Sequence, residues 1–406
     1  SIKVIKIRNA REEFTLKKIQ NEWRITEPVY TQADQSTVKS MLSSLLSATK
    51  ENVFTVDRQE RMNYGFGPTQ IFLQLETAEG VTDSIWFGDK TPVGAQVFAH
   101  RNDSTVFTVN QSIKTGFQKK LFDLRDKSIL QFTQSDVRGV RIKRPGEDLQ
   151  FEKTGAGKWT LVNINRPADA GKVSGILSRL SNNRAKAFVD EEGKNLQDYG
   201  LKNPPYEVEL TLGPQQGQKT LFLSKEVDNK FYARDESRKP VFEVDSFLVS
   251  EIAKPVKEYR STDFADFDRD EVNRIEISYG DTLLTLQKQG ENQWMLPDSG
   301  GRTVKSSDVS TLLSDLDFTV ISDFVKDGSY NPRTYGLDNP VLHISLFRDS
   351  QLLLEAKFGS IKGEKVYAAT NQNDSVYLIS KDKLNDFRLK PQEILEAPAD
   401  TTKPAA

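Results

Sequence analysis

Only two histidines occur in the 406 residues, His100 and His343. Acyl-transfer chemistry needs a histidine beside a nucleophile and an orienting acid, and zinc needs several ligands converging. The two histidines sit in different stretches at unmatched positions, so neither is assigned a catalytic or metal-binding role. There is no cysteine. That removes thiolate catalysis, disulfides and cysteine zinc sites, and it suits an oxidising compartment.

Asp266-Phe267-Asp268-Arg269-Asp270 alternates acids as a calcium loop does. The loop then requires glycine sixth and glutamate twelfth, and Glu271 and Ile277 stand there instead. It reads as a solvated joint. Gly155 to Thr160 contains Gly157-Lys158 in the manner of a phosphate loop. Glu152 replaces the first glycine, and the segment should link two strands rather than strand to helix. Around Ser174 the glycines are misplaced for a nucleophile elbow. Carboxylates are abundant, but nothing singles out a glycosidase pair. The expectation is therefore no catalytic residue, no cofactor and no metal.

What does recur is structural. Trp23, Trp159 and Trp294 are 136 and 135 residues apart, and Tyr64-Gly65, Tyr199-Gly200 and Tyr335-Gly336 are 135 and 136 apart. The tryptophans read as core anchors. The Tyr-Gly motif reads as a turn, glycine supplying a positive φ and the following proline an extended predecessor.

Each copy is expected to open with a hairpin, Ile2–Ile7 with Phe14–Ile19 in the first, whose alternation has period two. A short tryptophan strand follows, then one amphipathic helix, expected over Gln35–Thr49 in the first copy. There Val38, Met41, Leu42, Leu45 and Leu46 form an apolar stripe after a capping Asp34. Asp169 caps the second helix and Ser306 or Ser307 the third. A run of short strands and a last amphipathic stretch complete the unit. The class is α+β: three tandem homologous domains, each a mainly antiparallel β meander with one main helix. Boundaries fall at 1–131, 132–266 and 267–396, with a disordered tail at 397–406. Arg125 and Arg260 are copied with the joints, which hold no Gly/Ser linker, so adjacent copies should keep a defined orientation.

Lys+Arg 56 against Asp+Glu 58 gives a net charge of −2 with both signs mixed, which argues against a nucleic-acid partner. No apolar run spans a membrane. The opening Ser1-Ile2-Lys3-Val4, already alternating, leads us to expect a signal peptide or membrane anchor upstream.

The order Trp, helix opened by Ala-Asp, Tyr-Gly-Leu-x-x-Pro, strand and Tyr-Ala resembles the bacterial family called domain of unknown function 4340, in three copies. Phe66 for leucine, and Ser224 where the others carry Gly88 and Gly359, depart from it. The resemblance implies an extracytoplasmic, membrane-anchored body encoded beside ABC-transporter subunits of the gliding-motility type. The expected function is a non-enzymatic accessory or scaffold subunit, binding the transporter, its substrate or another envelope component. The alternative is a carbohydrate- or peptidoglycan-binding protein or weak glycan hydrolase, whose warrant is aromatic content in repeated units that suit multivalent binding.

Overall fold

Alternating apolar residues build three antiparallel nine-stranded sheets, one per repeat, in an α+β arrangement. The structure, a computed structural model, describes residues 1–396 apart from 11, 69, 102–104, 156, 214–216, 291–292, 298–299 and 301. The tail at 397–406 lies outside the described residues. Counted in chain order within a repeat, the strands lie fourth, third, second, first, sixth, seventh, eighth, ninth, fifth. Each sheet is thus two meanders spliced where the first strand pairs with the sixth. The helix carries the chain from the edge of one meander to the far edge of the other.

In the first repeat the helix is Gln35–Leu46, and Asp34 accepts a hydrogen bond from the Thr37 N–H. It ends three residues before the expected Thr49. The second helix is Ala170–Asn182, where Asp169 accepts from the Lys172 N–H at 3.0 Å. The third, Ser306–Asp317, differs from expectation. Lys305 holds the cap position without a side-chain bond, so neither serine caps it.

Each helix buries its stripe on one sheet face. Val38 and Met41 pack with Ile5, Ile7, Leu16 and Leu73. Val309, Leu312 and Leu316 do the same with Ile275, Ile277, Ile344 and Leu346. The tryptophans lie in this layer at 7, 5 and 5% exposure for Trp23, Trp159 and Trp294. The opposite sheet face carries a smaller apolar cluster around the Tyr-Gly motif in every repeat.

Gly65, Gly200 and Gly336 adopt φ of 79°, 66° and 70°. Gly88 and Gly359 allow a tight approach: a Cβ there would lie 2.1 Å from the Tyr64 and Tyr335 carbonyl oxygens. Ser224 fills that place in the second repeat, and its Oγ accepts the Tyr232 N–H at 2.9 Å.

No described helix is long and apolar enough to cross a membrane. By internal contacts the chain divides into two compact units, Ser1–Asp148 with Ile176–Ala253, and Leu149–Gly175 with the chain from Lys254 onward. The first joint between repeats lies wholly in the first unit and the second joint wholly in the second.

Candidate functional site

The residues whose chemistry is most suggestive are held apart or spent on structure. His100 stacks on Trp86 at 4.8 Å and meets the edge of Phe66. Next to His343 lie a serine and a glutamate, but Glu355 at 3.0 Å and Ser345 at 3.5 Å both address its Nε2. A relay needs the acid on the other ring nitrogen. In the Asp266–Asp270 run, Asp266 takes the Lys158 ammonium at 2.5 and 2.8 Å, and Asp268 accepts the Asp270 N–H. Among the described residues no three metal-capable side chains gather. Tyr64, Tyr199 and Tyr335 pack in the satellite clusters, and the Tyr199 hydroxyl donates to the Val189 carbonyl at 3.0 Å.

The joints are chemically richer. In the first unit, the segment closing the first repeat returns to its own sheet, Arg125 bridging Ala33. It then moves to the edge of the second repeat, where the Lys127 carbonyl accepts the Ala185 N–H at 2.7 Å. Between these contacts the Arg125 side chain, 2% exposed, lies 3.5 Å over the Phe188 ring. Its guanidinium bonds both carboxylate oxygens of Glu191, one at 2.9 Å. A planar donor fork stacked on an aromatic face and matched to a carboxylate is what arginine does and lysine cannot. Arg238 adds bonds to the carbonyls of Ser128 and Ile129 at 2.6 and 3.0 Å.

The second unit repeats the device. Arg260 bridges Ala168, the Thr262 carbonyl accepts the Ile321 N–H at 2.7 Å, and the Arg260 guanidinium lies 3.7 Å over Phe324. It bonds both oxygens of Asp327 at 2.8 and 2.9 Å. Here Arg166 joins in. Its Nε donates to Asp327 at 3.2 Å and its other end binds Asp374. Ser375 Oγ donates to the same Asp327 at 2.7 Å. Burial works against the charge of Asp327, but Arg260, Ser375 and Arg166 outweigh it and hold its carboxyl below the usual 3.8.

Strand register shows where the device is absent. Glu51, Ala187 and Asp323 pair with matched positions of the ninth strand, which aligns Asn52 with Phe188 and Phe324, and Thr55 with Glu191 and Asp327. The first repeat therefore lacks both the ring and the acid. At the other end, Leu395 bridges Val304 where Arg125 and Arg260 bridge their partners. The arginine–ring–acid interlock is found where two repeats meet.

A cleft of about 600 Å³ opens at the first joint, lined by residues of both repeats, among them Tyr30, Thr31, Arg125, Lys219, Arg238 and Lys239. Tyr30 is 67% exposed. Thr31 holds the register position of Arg166, each facing the residue two beyond its repeat's tryptophan. At the second joint that arginine reaches across to the next repeat; at the first, the shorter threonine lines the cleft. A groove of about 930 Å³ along the second joint carries the opposite charge, with Asp169, Asp263, Asp266 and Asp317 beside Trp159 and Phe318.

Sequence reasoning finds the copied Arg125 and Arg260 but not their partners. The signal is present: Phe188 and Phe324 recur at 136 residues with an acid three places on, Glu191 and Asp327. The acid changes type and the first copy carries neither residue, so the pattern spans two copies and escapes a copy-by-copy reading.

A family model described as Domain of unknown function (DUF4340) matches residues 23–166 and again 159–340. No curated protein matches the chain, and no solved structure matches it.

Proposed function

Because this chain belongs to the family described as Domain of unknown function (DUF4340), which carries no assigned activity, we propose its role from its joints. It is a non-enzymatic binding subunit, an extracytoplasmic accessory of an ABC transporter, and its recognition surface is built where repeats meet. The observation that carries this reading is the interlock. A buried arginine, stacked on a ring and paired with an acid, pins neighbouring repeats in the first unit and again in the second. Loosely tethered domains have no use for such a fixed contact; a surface composed of two domains does. The first-joint cleft, with side chains from both repeats, is within the size range of ligand sites.

The transporter and envelope part of this proposal is supported by the family resemblance, and the lack of cysteine suits it. It is tested by purifying the full-length protein from its native membranes under mild detergent. Transporter subunits in stoichiometric amount support the reading; recovery without any transporter subunit removes it.

The glycan-binding reading loses its first candidates for sugar stacking, since Trp23, Trp159 and Trp294 are core residues. Its remaining aromatics are the exposed Tyr30, Phe247 and Phe318.

A further inference from the structure

We propose that the first-joint cleft binds an acidic peptide segment of a partner protein, whose carboxylates pair with Lys219 and Arg24 beside Tyr30. This rests on reading the chain as a binding subunit and names the chemistry of its ligand.

Charge balance differs between two homologous places. At the second joint, Arg260 and Arg166 face Asp327 and Asp374, and the set closes neutral. There Arg166 supplies the second cation. At the first joint two of those positions change. Thr31 replaces the arginine, and Lys239 stands in the turn position of Asp374, counted back from the matched Val241 and Val376.

The remaining charges of the cleft mostly cancel. Arg125 pairs with Glu191, Arg238 with Asp235 at 3.0 Å, and Lys239 with Glu192 at 3.0 Å. Two lining cations remain without a lining acid. Lys219 has no carboxylate partner among the described residues, and the nearest carboxylate to Arg24 is Glu22 at 3.9 Å, outside the cleft lining. The cleft lining, drawn from two repeats, therefore carries two more cations than acids, whereas the arginine–carboxylate set at the second joint closes neutral. Charge complementarity selects an anionic occupant.

A bare anion would leave the apolar part of the wall uncovered. Pro28, Val29 and the exposed Tyr30 ring form that part, and the Arg24 guanidinium lies 5.9 Å from the Tyr30 ring centre. A peptide supplies both carboxylates and carbon. A nucleic-acid strand is disfavoured by the net charge of −2 and the mixing of signs along the chain.

The test is isothermal titration of the full chain with three probes: capped hexaglutamate, capped hexaglutamine and inorganic phosphate. Two variants accompany it, Lys219→Glu and the double change Thr31→Arg with Lys239→Asp. The double variant rebuilds the charge set of the second joint and closes the cleft without removing a core residue. Hexaglutamate is expected to bind the wild-type chain, to weaken about tenfold or more in Lys219→Glu, where a complementary charge is reversed, and to lose binding in the double variant, where an arginine enters the cleft and its net positive charge falls. Hexaglutamine and phosphate should give no heat of binding. No binding of hexaglutamate, equal binding to Lys219→Glu, or phosphate binding as tight as the peptide's overturns the proposal. Transporter co-purification that survives the double variant also overturns it while leaving the proposed function standing. Hexaglutamate binding without co-purification removes the transporter role and leaves the acidic-peptide site.

Discussion

Arg260 and Asp327, 67 residues apart, meet through two hydrogen bonds of 2.8 and 2.9 Å, with the Arg260 guanidinium laid on Phe324. Both ends of the contact are needed. A guanidinium buried to 7% side-chain exposure has no water to replace a lost carboxylate.

Asp327→Asn keeps the shape but removes the charge that compensates Arg260 and Arg166. Breaking a well-buried pair costs about 3–5 kcal/mol, and the partial exposure of Asp327 brings the expectation to about 2–3 kcal/mol. Thermal unfolding should show the transition of the second unit lowered by about 5–10 °C. An unchanged transition would mean that the interlock is not stabilising.

A pH dependence accompanies it. The folded Asp327 carboxyl titrates below its ordinary 3.8, so its contribution is fully present above that value. It is lost as pH falls through the lower folded value. Hydrogen exchange at Ile321 and Phe264, whose N–H groups bond across the second joint, should accelerate in that acid window. In Asp327→Asn the same amides should exchange faster already at neutral pH, and this acid step should be missing.

Glycine substitutions should separate the three copies. Gly88→Ala and Gly359→Ala drive a Cβ to 2.1 Å from a carbonyl oxygen, so the backbone must shift, at about 1–3 kcal/mol or more. Ser224→Gly removes one buried hydrogen bond and adds backbone freedom, for about 1–2 kcal/mol. Chemical denaturation of the three single variants checks these costs; Gly88→Ala and Gly359→Ala without loss of stability would remove the close-approach explanation.

The tryptophan and Tyr-Gly periods, the hairpins and the helical stripes are legible in the sequence, because burial on one face imposes a period that residues display locally. The sheet order is not. Nothing local says that the first strand pairs with the sixth, or that the helix crosses to the opposite edge. The joint is legible only by half. Arg125 and Arg260 stand at copied positions, but each acts on the following repeat, so Glu191 and Asp327 are partners across a copy boundary. The cleft is invisible in the sequence, since its lining is gathered from two repeats.

Closing the cleft gives a stability prediction free of any ligand. Thr31→Arg with Lys239→Asp should raise the unfolding temperature of the first unit by about 2–4 °C, as about 1 kcal/mol does in a domain of this size. Thr31→Arg alone adds a cation to a positive cleft and should lower it. If both variants shift stability alike, the charge comparison between the joints is wrong.

Whether partners are recognised where repeats meet can be read by site-specific photo-cross-linking. A photoreactive phenylalanine analogue replaces Tyr30 at the first-joint cleft or, as a control, the exposed Phe247, in the full-length protein in its native cells. Position 30 should yield an adduct with a membrane transporter subunit, and position 247 none. No adduct from position 30, or the same adduct from both, would rule out recognition at the joint.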